Sequence, residues 1–218
     1  MTALGTPHLH LRSIGSTNDR ARELAAAGAP HGTLVTADEQ IAGRGRQGRE
    51  WAAAPGTSLL LSLIVHDANP SLPLAASVAL CDALPVDAEV KWPNDIWIDR
   101  RKVAGILVEA RPQQGWAVLG VGVNVHHAPA IEHVTSLEGA IGVEQLLHRL
   151  LTALDGWLRR PLSEVLAAWR SRDALLGQPV RWQNGSGKGA GIDESGALLV
   201  DTDSGRVALD AGEVHLLR

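Results

Sequence analysis

"TSLLLSLIV", residues 57–65, is the stretch that decides the fold. Its apolar residues run almost unbroken, where a strand with one wet face would alternate apolar and polar positions. Such a run is expected at the centre of a sheet covered on both faces. Working outward, "TLVTADE" (33–39) is strand-like and "HLHLRSI" (8–14) alternates as a half-buried strand should. Between them, "STND" (16–19) opens the Ala-rich "RARELAAAG", with Gly28 and Pro30 closing a helix. Ser16 followed three places on by Asp19 resembles a capping box.

On the other side, residues 72–84 read as a buried helix stopped by Pro85. Three strands follow, "AEVKW" (88–92), "DIWID" (95–99) and "KVAGILVEAR" (102–111), the last two joined at a hairpin tip of Arg100 and Arg101. "GWAVLGVGVNV" (115–125) is another apolar strand, with glycines where a ligand or another backbone can approach. Residues 143–159 carry apolar side chains at helical spacing, and Pro161 starts "PLSEVLAAWRSR". The character changes near Gly177. Short strands, "PVRWQ", "GKGAGID", "ALLVDT" and "RVALDAGEVHLL", then alternate with turns such as "DESG" and "TDSG". The expectation is an α+β fold: a mixed central β-sheet flanked by helices over residues 1–174, with a small β-barrel over 175–218.

Composition narrows the function. The 218 residues are 45% hydrophobic, enough for a sizeable core, and seven Trp supply all the aromatic volume. A net charge of −4 and a pI near 6.1 argue against a surface devoted to nucleic acid. Cys81 is the lone cysteine, which excludes an intramolecular disulfide and suits a reducing compartment. With no signal-peptide pattern and no apolar run of the ~18 residues a membrane span needs, the expectation is a cytoplasmic protein.

Against that acidic background, "GRGRQGREW" (43–51) concentrates cations: six of its nine residues are Gly or Arg. It has no lysine in P-loop position and no G-x-G-x-x-G frame. Three readings fit: a solvated loop, an anion-binding loop using Arg44, Arg46 and Arg49, or a nucleic-acid contact. "KWPND" sets Lys91, Trp92, Asn94 and Asp95 around a proline-fixed turn, which ordinary turn chemistry also explains. Lys102 in "RKVAGILVE" reads either as an exposed hairpin lysine or as a cation aimed at the sheet. Asn124 interrupts an apolar strand and needs hydrogen bonds there. His126 and His127, with His133 nearby, do not suggest a metal centre, since strand neighbours point to opposite faces and no Cys or carboxylate completes the spacing.

Taken in order, "STND", "EQIAGRGRQGREW", "KWPNDIW", "RKVAGILVE" and "GVGVNV" resemble the biotin protein ligases over essentially the whole chain. The resemblance implies a class II synthetase-like catalytic domain (1–174) and an SH3-like C-terminal domain (175–218). It implies a two-step reaction in which biotin and ATP, with Mg²⁺, give biotinyl-AMP, which then acylates a lysine of a biotin carboxyl carrier protein. No prosthetic group is implied. By the same resemblance, Ser16, Thr17, Asn18, Gln40, Arg44, Gly45, Arg46, Lys102 and Gly105 would contact biotin. Arg44, Arg46, Arg49, Trp51, Lys91, Asn94, Lys102 and Asn124 would meet the nucleotide. Lys102, Arg46 and Asp95 would be catalytic, and Asn94 and Asp95 would orient Mg²⁺. The Gly/Arg loop would close as a lid over the phosphoanhydride.

Some members of this family carry an N-terminal helix-turn-helix and repress transcription. With about seven residues ahead of the first strand, the expectation is a ligase that binds no DNA and no membrane, as a monomer or homodimer. The rival readings are a lipoate or octanoate ligase on the same fold and a nucleic-acid-binding module.

Overall fold

The computed structural model describes residues 4–217. Its frame is a seven-stranded sheet in the order β1-β2-β3-β7-β6-β5-β4. The strands are β1 (His8–Ile14), β2 (Leu34–Gln40), β3 (Ser58–His66), β4 (Glu89–Lys91), β5 (Asp95–Ile98), β6 (Arg101–Arg111) and β7 (Trp116–Asn124). β1 and β2 are parallel and every other neighbouring pair is antiparallel, so the sheet is mixed.

The apolar run at 57–65 sits where its composition puts it. β3 lies between β2 and β7 and is buried from Ser58 to Val65. One face of the sheet packs on α2 (Leu72–Ala83), α3 (Val143–Trp157) and α4 (Leu162–Arg170), burying Leu59, Leu61, Leu63 and Val65 in one large core. The other face carries α1 (Thr17–Ala26), where Ala21 and Ala25 pack on Val35, Ile64 and Val118. Alanines let α1 approach closely while covering only part of that face. The rest of it stays open as the floor of a cavity.

The C-terminal strands are β8 (Pro179–Trp182), β9 (Gly185–Ile192), β10 (Leu198–Thr202), β11 (Gly205–Leu209) and β12 (His215–Leu216). They form a five-stranded antiparallel sheet in the order β11-β10-β9-β8-β12. Its buried residues Val180, Leu198, Val200 and Val214 belong to the same apolar cluster as Val90, Trp92 and Trp169.

Three local expectations need correction. Ser16 stands at the N-cap of α1, but its side chain makes no capping bond. Asp19 is spent on Arg22 and Arg44 instead, so no capping box forms. The β5–β6 turn is tipped by Asp99 and Arg100, both in left-handed backbone (φ 49° and 60°), and Arg101 already belongs to β6. "RVALDAGEVHLL" is two strands on opposite edges of the small sheet, with a turn through Gly212 between them.

Candidate active site

The floor of the cavity is made by glycines. Gly105 on β6 and Gly122 on β7 are register partners, and Gly120 lies two residues before Gly122 on the same strand. A Cβ on Gly122 would come within 2.5 Å of the Trp51 ring, and one on Gly120 within 2.2 Å of Asn18 Oδ1. No flexible side-chain tip relieves either clash, because both neighbours are themselves held in the wall of the site. The missing side chains are what let Trp51 and Asn18 lie flat on the sheet.

One end of the cavity is polar and buried. Ser16, Thr17 and Asn18 are buried at the start of α1. The Thr17 N–H donates to Gln40 Oε1 at 2.7 Å, and the Thr17 hydroxyl lies 3.0 Å from the same oxygen. Ser62, fully buried on β3, places its hydroxyl 2.8 Å from Thr17 Oγ1 and 2.5 Å from Asn18 Oδ1. The Asn18 amide donates to Glu109 at 2.8 Å. Neither Ser62 nor Glu109 stands out in the sequence. The only signals there are a serine inside an apolar strand and a carboxylate at the far end of another.

The other end is cationic. Lys102 Nζ lies 2.6 Å from Asp95 Oδ1, a contact ion pair without the alignment of a hydrogen bond, and 5.5 Å from the centroid of the Trp51 ring. Arg46 donates to Asn94 Oδ1 at 3.2 Å, while Asn94 Nδ2 donates to the Ile106 carbonyl at 2.8 Å. Burial, then the neighbouring Arg49, lowers the Arg46 pKa from its ordinary value. Two cations therefore lie near one carboxylate, an arrangement that favours an incoming anion.

The Gly/Arg stretch is a short hairpin over the cavity mouth. Gly45 N–H donates to Arg49 O at 2.7 Å, Trp51 N–H donates to Gly43 O at 2.9 Å, and Gln47 turns the tip with φ 55°. Its three arginines have different partners. Arg44 pairs with Asp19 at 2.7 Å, and that hydrogen bond raises its pKa. Arg49 pairs at 2.6 Å with Glu213, in the turn between β11 and β12. Arg46 points inward.

A second cavity opens behind the first and shares Arg46, Arg49, Asn94 and Lys102 with it. Lys91, Asp95 and His133 line its wall, and Glu213 closes its far side. Burial holds the Lys91 pKa below the usual lysine value, and its ammonium sits 5.9 Å from the Trp97 ring centroid. The structure thus brings Ser16, Thr17, Asn18, Gln40, Arg44, Gly45, Arg46, Arg49, Trp51, Asn94, Lys102 and Gly105 to one cavity, and Lys91 and Asp95 to the adjoining one. Asn124 lines neither cavity. It is buried and donates to the Thr135 carbonyl at 3.0 Å, bracing the loop after β7. Among the described residues no group of three His, Cys, Asp or Glu side chains converges as a metal site.

Residues 11–125 match the model of the Biotin/lipoate A/B protein ligase family, and residues 175–217 match the Biotin protein ligase C terminal domain. The chain is 34% identical to the biotin–(acetyl-CoA-carboxylase) ligase of Paracoccus denitrificans, over 94% of this chain and 98% of that protein. It is 35% identical to the enzyme of the same name from Mycobacterium tuberculosis, over 94% and 86%. Among solved structures, the biotin protein ligase from Aquifex aeolicus in complex with biotin and ATP superposes with a TM-score of 0.84 at 26% identity, covering 98% of this chain and 99% of that one. Both matched regions and both relatives agree: this chain belongs to the biotin protein ligases.

Proposed function

We propose that this chain activates biotin with ATP and transfers it to one lysine of a biotin carboxyl carrier protein. The observation that carries the reading is the junction of the two cavities, where Lys102 and Arg46 face both. Biotin fits the first cavity with its ureido ring against Ser16, Thr17, Asn18 and Gln40, its body over Gly105, and Arg44 and Gly45 closing the loop above. Its carboxylate then lies toward Lys102 and Arg46. ATP fits the second cavity, with Arg49, Lys91 and Asn94 around it, Trp51 reaching it from the first cavity beside Lys102, and Asn124 acting at one remove through the Thr135 loop.

In the first step a carboxylate oxygen of biotin attacks the α-phosphorus. A new P–O bond forms, the bond to the β-phosphate breaks, and pyrophosphate leaves. Both reactants are anions, so the barrier is largely electrostatic, and Lys102 and Arg46 neutralise charge where it gathers. In the second step the carrier lysine's neutral amine attacks the biotinyl carbonyl and AMP leaves with the bonding pair. The ammonium formed must lose a proton, and Asp95 is the nearby carboxylate.

Mg²⁺ enters as part of the MgATP substrate. One carboxylate, Asp95, with the Asn94 amide beside it suits an ion that keeps most of its coordination for water and phosphate. We assign catalysis to residues 1–174 and a supporting domain to 175–218. The chain acts as a monomer or homodimer in the cytoplasm without binding operator DNA. Its acidic balance supports this, and no helix among the described residues is long and apolar enough to cross a membrane. The test is to incubate purified protein with biotin, MgATP and a biotin-carrier domain, then weigh the carrier. One added biotinyl group, absent when its acceptor lysine is replaced by Arg, is expected. An unmodified carrier would sink the reading.

A further inference from the structure

We propose that Glu109, which lies outside the set of cavity-lining residues, is a positioning residue that fixes which way the Asn18 amide faces in the polar row. The inference rests on the reading of that row as the ureido-binding end.

The row runs Glu109–Asn18–Ser62–Thr17–Gln40 across β6, α1, β3, α1 and β2. Each hydroxyl in it has one proton, so the protons can be ordered in two ways. A carboxylate only accepts. Glu109 therefore requires the NH₂ of Asn18, which turns Asn18 Oδ1 toward Ser62. That oxygen also only accepts, so Ser62 gives it its proton. Thr17 gives both its N–H and its hydroxyl proton to Gln40 Oε1. In this order Asn18 Oδ1 keeps a lone pair for a ligand that brings N–H donors, as a cyclic urea does.

With Asn18 turned the other way the order reverses. Ser62 accepts from Asn18 and gives its proton to Thr17 Oγ1, and Asn18 shows a ligand its NH₂ in place of the acceptor. Glu109 selects between these orders from a place beside two guanidinium groups. Arg22 donates to Oε1 at 3.2 Å and Arg44 approaches the same oxygen at 3.7 Å, while Oε2 faces Asn18. In Glu109→Gln the two arginines would claim the amide oxygen and leave the NH₂ facing Asn18, which would have to turn over. In a buried row each polar group polarises the next, so one misdirected group is felt along it.

The experiment is biotin-dependent ATP–pyrophosphate exchange with thermal melts on wild type, Glu109→Gln, Asn18→Asp and the double variant. The expected result for Glu109→Gln is a KM for biotin raised about tenfold, with kcat at saturating biotin within about threefold and an unchanged melt. Asn18→Asp sets two carboxylates against each other and should also raise KM. In the double variant the introduced amide can donate to the introduced carboxylate. Ser62 can still donate to that carboxylate as well, so KM should fall below that of either single variant. Additive damage in the double variant would overturn the assignment, as would a Glu109→Gln KM within twofold of wild type. A joint fall in kcat and melting temperature without a selective KM change would give Glu109 to the fold and overturn it equally. Wild-type exchange that does not need biotin would instead remove the ligand reading beneath it.

Discussion

Lys102 shows how a residue that is ambiguous in the sequence becomes specific in the fold. The second residue of a strand after a hairpin tip is ordinarily a solvated lysine. Here its side chain is 26% exposed, paired with Asp95 and laid beside Trp51 at the junction of two cavities. Its charge faces the place where two anions must meet. Lys102→Met keeps the aliphatic length, and we expect pyrophosphate exchange to fall a hundred- to thousand-fold, about 3–4 kcal/mol of transition-state stabilisation. The KM for biotin should change less than kcat, since repulsion between the anions peaks as the bond forms. Exchange within about threefold of wild type, with a normal melt, would move the catalytic cation to Arg46. The floor makes a second residue-scale prediction. Gly122→Ala sets a methyl against the Trp51 ring, so the hairpin must lift or Trp51 must turn. Trp emission should shift and exchange should fall at least tenfold, because a displaced reacting group costs rate steeply. An alanine variant with wild-type exchange would show that Trp51 does not need its place on the floor.

Among the elements, the Gly/Arg hairpin joins three parts of the molecule: α1 through Arg44, the cavity through Arg46 and the β11–β12 turn through Arg49. Its outer ion pairs are exposed, and such pairs contribute roughly 0–1 kcal/mol. Glu213→Gln should therefore speed tryptic cutting at Arg44, Arg46 or Arg49 by no more than about fivefold, since cutting tracks the open population. Biotin with MgATP should slow cutting in both proteins. Equal rates with and without ligands would end the lid account. The elements differ in how far the sequence discloses them. Strand β3 is legible because burial on both faces leaves an unbroken apolar run, and the Gly/Arg and Lys-Trp-Pro-Asn-Asp segments are legible because their residue types are unusual together. The capping box fails because Asp19 pairs with Arg22, three residues on in the same helix, and with Arg44, which only the fold brings near. The break inside "RVALDAGEVHLL" is hidden because its apolar spacing continues across the turn. Ser62 and Glu109 are invisible because a buried polar row is assembled from four elements distant in sequence.

At the scale of the whole molecule, the C-terminal sheet is built into the catalytic core. The Trp92 indole donates to the Gly196 carbonyl at 3.0 Å, and Arg170 donates twice to the Ile192 carbonyl, at 3.1 and 2.8 Å. Trp92 lies within the very segment that carries Asn94 and Asp95, so the small sheet buttresses the turn that holds the cation cluster. The two parts should therefore unfold together. Arg170→Met removes hydrogen bonds from a charged donor, worth about 1.5–3 kcal/mol, and should lower one shared midpoint by roughly 2–4 °C for each kcal/mol lost. Two separate transitions, seen by Trp emission and circular dichroism, would contradict a common core. The central claim is that this assembled site joins biotin to AMP, and isotope exchange between pyrophosphate and ATP tests it most directly. Labelled pyrophosphate should enter ATP only when biotin is present, with lipoate and octanoate inert and no carrier protein needed. Exchange that lipoate or octanoate supports as well as biotin does, or no exchange at all from folded protein, would contradict it.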